Sequence, residues 1–210
     1  MITVTTIGLV AIALVLAYLI GSLSGSLLLA RAFGRADPRR SGSGNAGATN
    51  ALRTGGRGYG AAVLGFDLLK GAVAALLVPA VLGLGFGAAL ACGALAVIGH
   101  VYPVFFGFRG GKGAATLIGV LIALLPGALL LGVAVWIATL VASGYVGLAT
   151  LLGMLGVALA TLFAPAAGIA AKLFVIAMTA LIFYTHRDNI QRLRAGREHR
   201  FERVMLWRRR

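Results

Sequence analysis

Three long stretches without a charged side chain limit what this chain can become. Ile2–Ala30 has no Asp, Glu, Lys or Arg over 29 residues, Gly71–Phe108 none over 38, and Gly113–Ala171 none over 59. A helix that crosses a bilayer needs about 20 apolar residues. Every stretch meets that length, so the chain reads as an all-α, polytopic integral membrane protein. Of its 210 residues 60% are hydrophobic and 11% charged, against about 25% charged in soluble domains. This excludes an ordinary soluble enzyme, a disordered tail and a disulfide scaffold. Cys92 is the only cysteine and reads as a small buried apolar residue.

The net charge of +14 does not indicate nucleic-acid binding. A basic nucleic-acid domain spreads Lys and Arg over a soluble face, whereas here they collect in short segments between apolar runs. The positive-inside rule explains that pattern. No Lys or Arg precedes the first apolar run, so it reads as a span and not as a signal peptide. Arg31 follows it, which implies an N-terminus outside.

The expected order is a helix over Ile2–Ala30, a loop over Arg31–Gly58, a helix over Tyr59–Leu82 and a third over Gly87–Phe106. The polar island Arg109–Gly113 follows, then an apolar region to Thr185 and a tail from Arg187 with nine Arg. The three basic segments can share the cytoplasmic face only if the Ala114–His186 stretch holds an even number of spans. Breaks near Pro126, at Ser143-Gly144 and near Ala164-Pro165 divide it into four. The expectation is about seven helices, N-terminus out and C-terminus in, with five as the alternative. The chain reads as one membrane domain, 1–210, without an internal repeat, and with a basic cytoplasmic tail over 198–210 resting on anionic lipid.

Four groups of residues could carry chemistry. In Ser41–Asn50, alternating Gly, Ser and Asn can form a nest of backbone N–H groups for an anion. Ser43, Thr49 and Asn45 add side-chain donors. The plainer reading is a flexible loop. Gly42, Gly44 and Gly47 also satisfy a GxGxxG string, with Asp67 20 residues past Gly47. No strand precedes it, so it is not a dinucleotide fingerprint. The second group is Arg109-Gly110-Gly111-Lys112-Gly113, where a Gly-rich backbone and Lys112 suit a phosphate. It is no Walker A loop: Phe106 stands where the first Gly is required, and Gly113 where Ser or Thr is. A positive-inside turn is the alternative. The third is Asp67 and Lys70, which at i,i+3 spacing can pair on one helix face. Such a pair is either structural or catalytic. The fourth is His186 and Asn189, which share a helix face at the membrane boundary. A lone interfacial His is more often a plain polar tip, and that reading also applies to His186 and His100.

No His is followed five residues later by Asp: Phe105, Gln191 and Val204 stand there. Common Zn-ligand spacings are absent too. Taken together, the basic segments and their Gly-rich loops suit an anionic ligand held at the cytoplasmic surface.

Three motifs carry a family resemblance. GSGNAGATNALRTGG (42–56), followed by Asp67-Leu-Leu-Lys70-Gly71, resembles the first signature of the acyl-phosphate-dependent glycerol-3-phosphate acyltransferases, the PlsY family. GHVYPVFFGFRGGKG (99–113) resembles the second and THRDNIQRLRAGREHRF (185–201) the third. The resemblance runs from about residue 18 to 201. It implies a seven-helix enzyme of the bacterial inner membrane, with its site facing the cytoplasm. Such an enzyme moves an acyl group from acyl phosphate to the 1-hydroxyl of sn-glycerol 3-phosphate, giving lysophosphatidate and inorganic phosphate for phospholipid synthesis. By resemblance, Ser43, Lys112, His186 and Asn189 are the catalytic set. Gly42, Gly44, Asn45, Gly47, Thr49, Asn50, Arg53, Gly110, Gly111 and Gly113 would bind substrate, with Asp67, Lys70, His100 and Glu198 in support. It implies no metal or cofactor. The implied partners are acyl phosphate, glycerol 3-phosphate and membrane lipid, with no nucleic acid. One departure lies at Ser143-Gly-Tyr-Val-Gly-Leu-Ala149, where the family usually has a basic residue before the Tyr and a Ser soon after.

Two other classes compete. An anion transporter could use Gly- and Pro-interrupted helices, but it calls for internal pseudo-symmetry and charge near the midplane. A lipid-binding scaffold could use the basic tail, but it leaves the Gly-rich loops unexplained.

Overall fold

The computed structural model describes residues 4–205. The last five residues of the expected basic tail lie outside the described residues. Among the described residues the regular structure is helical throughout. The chain forms two compact units, one ending at Leu124 and one beginning at Leu125.

The first unit holds α1 (Val4–Gly21), α2 (Gly25–Ala32), α3 (Ala48–Ala72), α4 (Val78–Val81), α5 (Phe86–Val101) and α6 (Ala114–Leu124). The expected single helix over Ile2–Ala30 is in fact broken at Ser22–Ser24. The expected loop over Arg31–Gly58 is helical from Ala48, so Thr49, Asn50 and Arg53 lie on a helix. Gly56 kinks α3 with φ 84°, a conformation glycine adopts without steric cost. One π-helical stretch, Val73–Leu77, joins α3 to α4. Pro79 explains it: proline has no N–H for the preceding turn, and a wider turn absorbs the mismatch. The third expected helix ends at Val101, and a 3-10 turn, Val104–Phe106, follows.

The second unit holds α7 (Pro126–Ser143), α8 (Val146–Phe163), α9 (Ile169–Thr185) and α10 (Arg187–Arg194). Its breaks follow the local chemistry. Pro126 opens α7 at the first helical position, where its missing N–H costs nothing. Gly144 closes α7 in the left-handed region (φ 75°), and its N–H donates to Leu140 O at 2.7 Å. Ala164, the residue before a proline, is extended and ends α8.

Among the described residues, five helices are long and apolar enough to cross a membrane, or six if α9 and α10, bent by 56°, count as one span. The 11 residues of α6 reach only about 16 Å at 1.5 Å per residue, half of a hydrocarbon core of about 30 Å.

Glycines set the helix packing. A Cβ on Gly21 would strike Ala96 O, and one on Gly99 would strike Tyr18 O, so α1 and α5 touch backbone to backbone. Gly71 against Thr116 O and Gly119 against Leu68 O join α3 to α6 in the same way. On α7 and α8, a Cβ on Gly153 would lie 3.0 Å from Gly132 O. Lipid gives apolar helices no hydrophobic drive to associate, so close contact through small residues takes its place.

Candidate functional site

In the first unit, both Gly-rich loops run straight into a helix N-terminus. Ser41–Gly47 leads into α3, and Arg109–Gly113 leads into α6, whose Leu117 N–H donates to Gly113 O at 2.8 Å. Helix N-termini present unpaired N–H groups and the positive end of the dipole, which favours anions. The loops are shaped, not floppy. Gly42 and Gly44 have φ of 62° and 71°. Asn50 is 1% exposed and its amide holds the loop: Oδ1 accepts Ser43 N–H at 2.8 Å, and Nδ2 donates to Pro38 O at 2.8 Å and Ser41 O at 3.1 Å. These bonds give Asn50 a positioning role. Ser43 lies exposed at the loop tip, Asn45, Gly47 and Thr49 are half-buried, and Arg53 is half-buried one turn past Asn50.

Arg39 ties the two loops together. Its Nη1 donates to Phe106 O at 3.0 Å and Arg109 O at 3.1 Å. Its Nε donates to both Asp37 carboxylate oxygens at 3.1 Å, and Nη2 pairs with Oδ2 at 2.7 Å. The Asp37 carboxylate also accepts the Arg39 N–H at 2.9 Å, capping the short turn Pro38–Arg40. The Arg39 guanidinium holds the Asp37 carboxyl below its usual range by hydrogen bonding, and the arginine's own pKa is pushed up by the same bond.

Asp67, Lys70 and His100 form one buried cluster under the second loop. Lys70 Nζ lies 3.0 Å from Asp67 Oδ1 and 2.9 Å from His100 Nδ1, and it donates to Leu23 O at 2.8 Å. Leu23 sits in the break between α1 and α2, where backbone carbonyls lack helical partners. One ammonium therefore joins that break to α3 and α5. His100 carries the loop above it: Gly111 N–H donates to His100 O at 3.1 Å, and Gly110 N–H to Val101 O at 3.1 Å. A Cβ on Gly111 would strike the His100 ring. Lys112 is half-buried between the buried Gly111 and Gly113.

In the second unit, His186 stands at the junction of α9 and α10, and Asn189 lies one turn on. Both are buried. His186 Nδ1 lies 2.8 Å from Ile182 O. A carbonyl only accepts, so Nδ1 carries the hydrogen. Asn189 Nδ2 donates to Glu198 Oε1 at 2.8 Å, while Arg192 Nε donates to Glu198 Oε2 at 2.6 Å. Gly147 on α8 leaves room for Asn189: a Cβ there would lie 2.9 Å from Nδ2. The segment carrying Glu198 is pinned to the turn between α7 and α8. Arg200 Nε donates to Ser143 O at 3.0 Å and Phe201 N–H to Gly144 O at 2.8 Å. Among the described residues, no group of three or more His, Cys, Asp or Glu could hold a metal ion.

The family profile described as Glycerol-3-phosphate acyltransferase matches residues 11–196. The chain belongs to the glycerol-3-phosphate acyltransferase family. A family member from Rhizobium meliloti (strain 1021) is 46% identical over 187 residues, covering 89% of this chain and 90% of the relative. One from Aquifex aeolicus (strain VF5) is 42% identical, covering 89% and 96%. Family structures agree. PlsY, an integral membrane glycerol 3-phosphate acyltransferase, in its glycerol 3-phosphate form is 40% identical with TM-score 0.85, over 91% of this chain and 95% of that one. Its lysophosphatidic acid form gives 39% and 0.82 over 91% and 94%. This chain is accordingly an integral membrane acyltransferase for glycerol 3-phosphate.

Sequence reasoning missed three parts of this arrangement. Arg39 looked like one more positive-inside arginine. Asp37 two residues before it, with Pro38 between, was the available signal for a capped turn. Gly147 was one glycine among many. Arg192 was counted only as tail charge.

Proposed function

We propose that the protein transfers an acyl group from acyl phosphate to the 1-hydroxyl of sn-glycerol 3-phosphate, releasing lysophosphatidate and inorganic phosphate at the cytoplasmic face of the bacterial inner membrane. One observation carries the reading: two glycine-rich loops, bound together by Arg39, each deliver backbone N–H groups and a helix N-terminus. Both substrates carry a phosphate, and the chain has two places suited to one.

The roles follow from the chemistry. Arg53 and Lys112 hold phosphate oxygens, Arg as a fork and Lys as a point charge. The Gly42–Gly47 and Gly110–Gly113 backbones give further donors. The family resemblance assigns Ser43 and Asn189 to the glycerol hydroxyl. Its oxygen attacks the acyl carbon, the new ester C–O bond forms, and the bond to the phosphate oxygen breaks. The family resemblance assigns the hydroxyl proton to His186 or to a substrate phosphate. Phosphate is a good leaving group, so positioning and charge stabilisation supply much of the rate. Direct transfer needs no acyl-enzyme.

The test offers purified protein glycerol 3-phosphate with either acyl phosphate or acyl-CoA. Phosphate release from the first donor is expected. Thiol release from the second, with no phosphate from the first, rejects the donor assignment. An acyl group trapped on Ser43 rejects direct transfer.

A further inference from the structure

A cavity of about 550 Å3 opens in the first unit, lined by Asp37, Arg39, Arg40, Phe106, Gly107 and Arg109. None of these side chains is assigned a substrate contact, although Arg109 opens the second glycine-rich loop and Arg39 braces it. We propose that this cavity binds the phosphate head group of an anionic glycerophospholipid, as a lipid site separate from the two substrate phosphates.

Charge is the first argument. Three arginines line the cavity against one aspartate, which is already paired with Arg39. Arg40 and Arg109 remain to meet an anion, and both are exposed. Arginine meets phosphate oxygens with paired N–H donors, and basic pockets beside membrane helices suit lipid head groups. Positive-inside charge alone does not call for a built wall. Here Arg39 is fixed by Asp37 and by the carbonyls of Phe106 and Arg109, so the wall is rigid before any ligand arrives.

The rim is the second argument. Phe105 and Phe108 flank the cavity-lining Phe106 and Gly107, and are 53% and 57% exposed. Phe108 is the one non-glycine residue with positive φ (58°) among the described residues. A bulky side chain in that region is strained, and the strain here presents an aromatic ring outward, not into the core. Arg31 lies over the Phe106 ring at 5.2 Å, adding a further cation beside the lining. A phosphate and an acyl chain on one molecule match cations lined up beside exposed apolar rings. Free phosphate matches only the cations.

The experiment places the full-length protein in phosphatidylcholine nanodiscs and titrates fluorescent phosphatidate. Phosphatidate should bind at least about tenfold more tightly than fluorescent phosphatidylcholine, and R40A/R109A should lose about tenfold of that affinity. R40K/R109K should recover part of it. Thermal unfolding of both variants in pure phosphatidylcholine should match the parent. Undiminished binding by R40A/R109A overturns the proposal. So does displacement of phosphatidate by equimolar inorganic phosphate, which would make this a site for the free anion. Unchanged phosphatidate binding with a raised KM for acyl phosphate would assign the cavity to the donor and overturn it as well.

Discussion

Replacing Gly147 with alanine tests the account of Asn189 without touching Asn189. The added Cβ would lie 2.9 Å from Asn189 Nδ2 and 3.2 Å from both its Cβ and Cγ. The terminal amide alone could swing clear, but the contact with the asparagine Cβ cannot be relieved that way. Two outcomes are open to the protein. If Asn189 stays, overpacking costs about 1–3 kcal/mol. If it turns, it gives up a hydrogen bond to the Glu198 carboxylate, about 1.5–3 kcal/mol. Alanine in a helix returns up to about 1 kcal/mol over glycine. The net effect on stability is therefore small, about 2 kcal/mol at most. Activity should respond more, since a displacement near 1 Å can cost about 100-fold. We expect G147A to fold, to melt within several degrees of the parent, and to lose about 10- to 100-fold in kcat, with KM for each substrate changed only a few fold. Steady-state phosphate release and thermal unfolding in nanodiscs measure these. Parental kcat in a stable G147A protein would show that the position of Asn189 does not matter for turnover.

Three further outcomes follow from the same geometry. Lys70→Met should destabilise the protein by about 3–5 kcal/mol, because it leaves the buried Asp67 carboxylate without its cation; D67N/K70M should recover part of the loss in thermal unfolding. Gly42→Ala should lower KM-normalised activity for glycerol 3-phosphate by about tenfold or more, since φ of 62° strains alanine and its Cβ meets Asn50 Oδ1; equal kcat/KM would remove the loop's shape from the account. Arg39 lowers the Asp37 pKa, so this pair contributes stability above the unfolded carboxyl value of about 3.9 and loses it as pH falls through the lower folded value. Acid unfolding below about pH 4 should thus be shifted in Asp37→Asn, while the stability difference between Asp37→Asn and the parent stays constant from neutral pH down to that point.

Much of this was legible because membrane helices declare themselves by length and by their breaks. Pro126 opens a helix and Gly144 and Pro165 end one for local reasons, and the structure breaks where they stand. The break at Ser22–Ser24 was not legible, because three small serines in an apolar run look helical. What stabilises the break is remote: Lys70 Nζ reaches Leu23 O, and Tyr59 OH donates to Ser26 O at 2.6 Å. The helical start at Ala48 was hidden by its glycines. Local composition favours a loop there, and Asn50, by binding Pro38, Ser41 and Ser43, overrides it. The Asp67–Lys70 pairing followed from i,i+3 spacing, but the arrival of His100 from α5 is tertiary and left no local trace.

The proposed reaction is direct acyl transfer from acyl phosphate to glycerol 3-phosphate. A single-turnover experiment tests it most directly, mixing excess enzyme with acyl phosphate and following phosphate release with and without glycerol 3-phosphate. Direct transfer releases phosphate only when the acceptor is present, one phosphate for each lysophosphatidate formed. A burst of phosphate without acceptor, or acylated glycerol 3-phosphate formed without phosphate release, would contradict it.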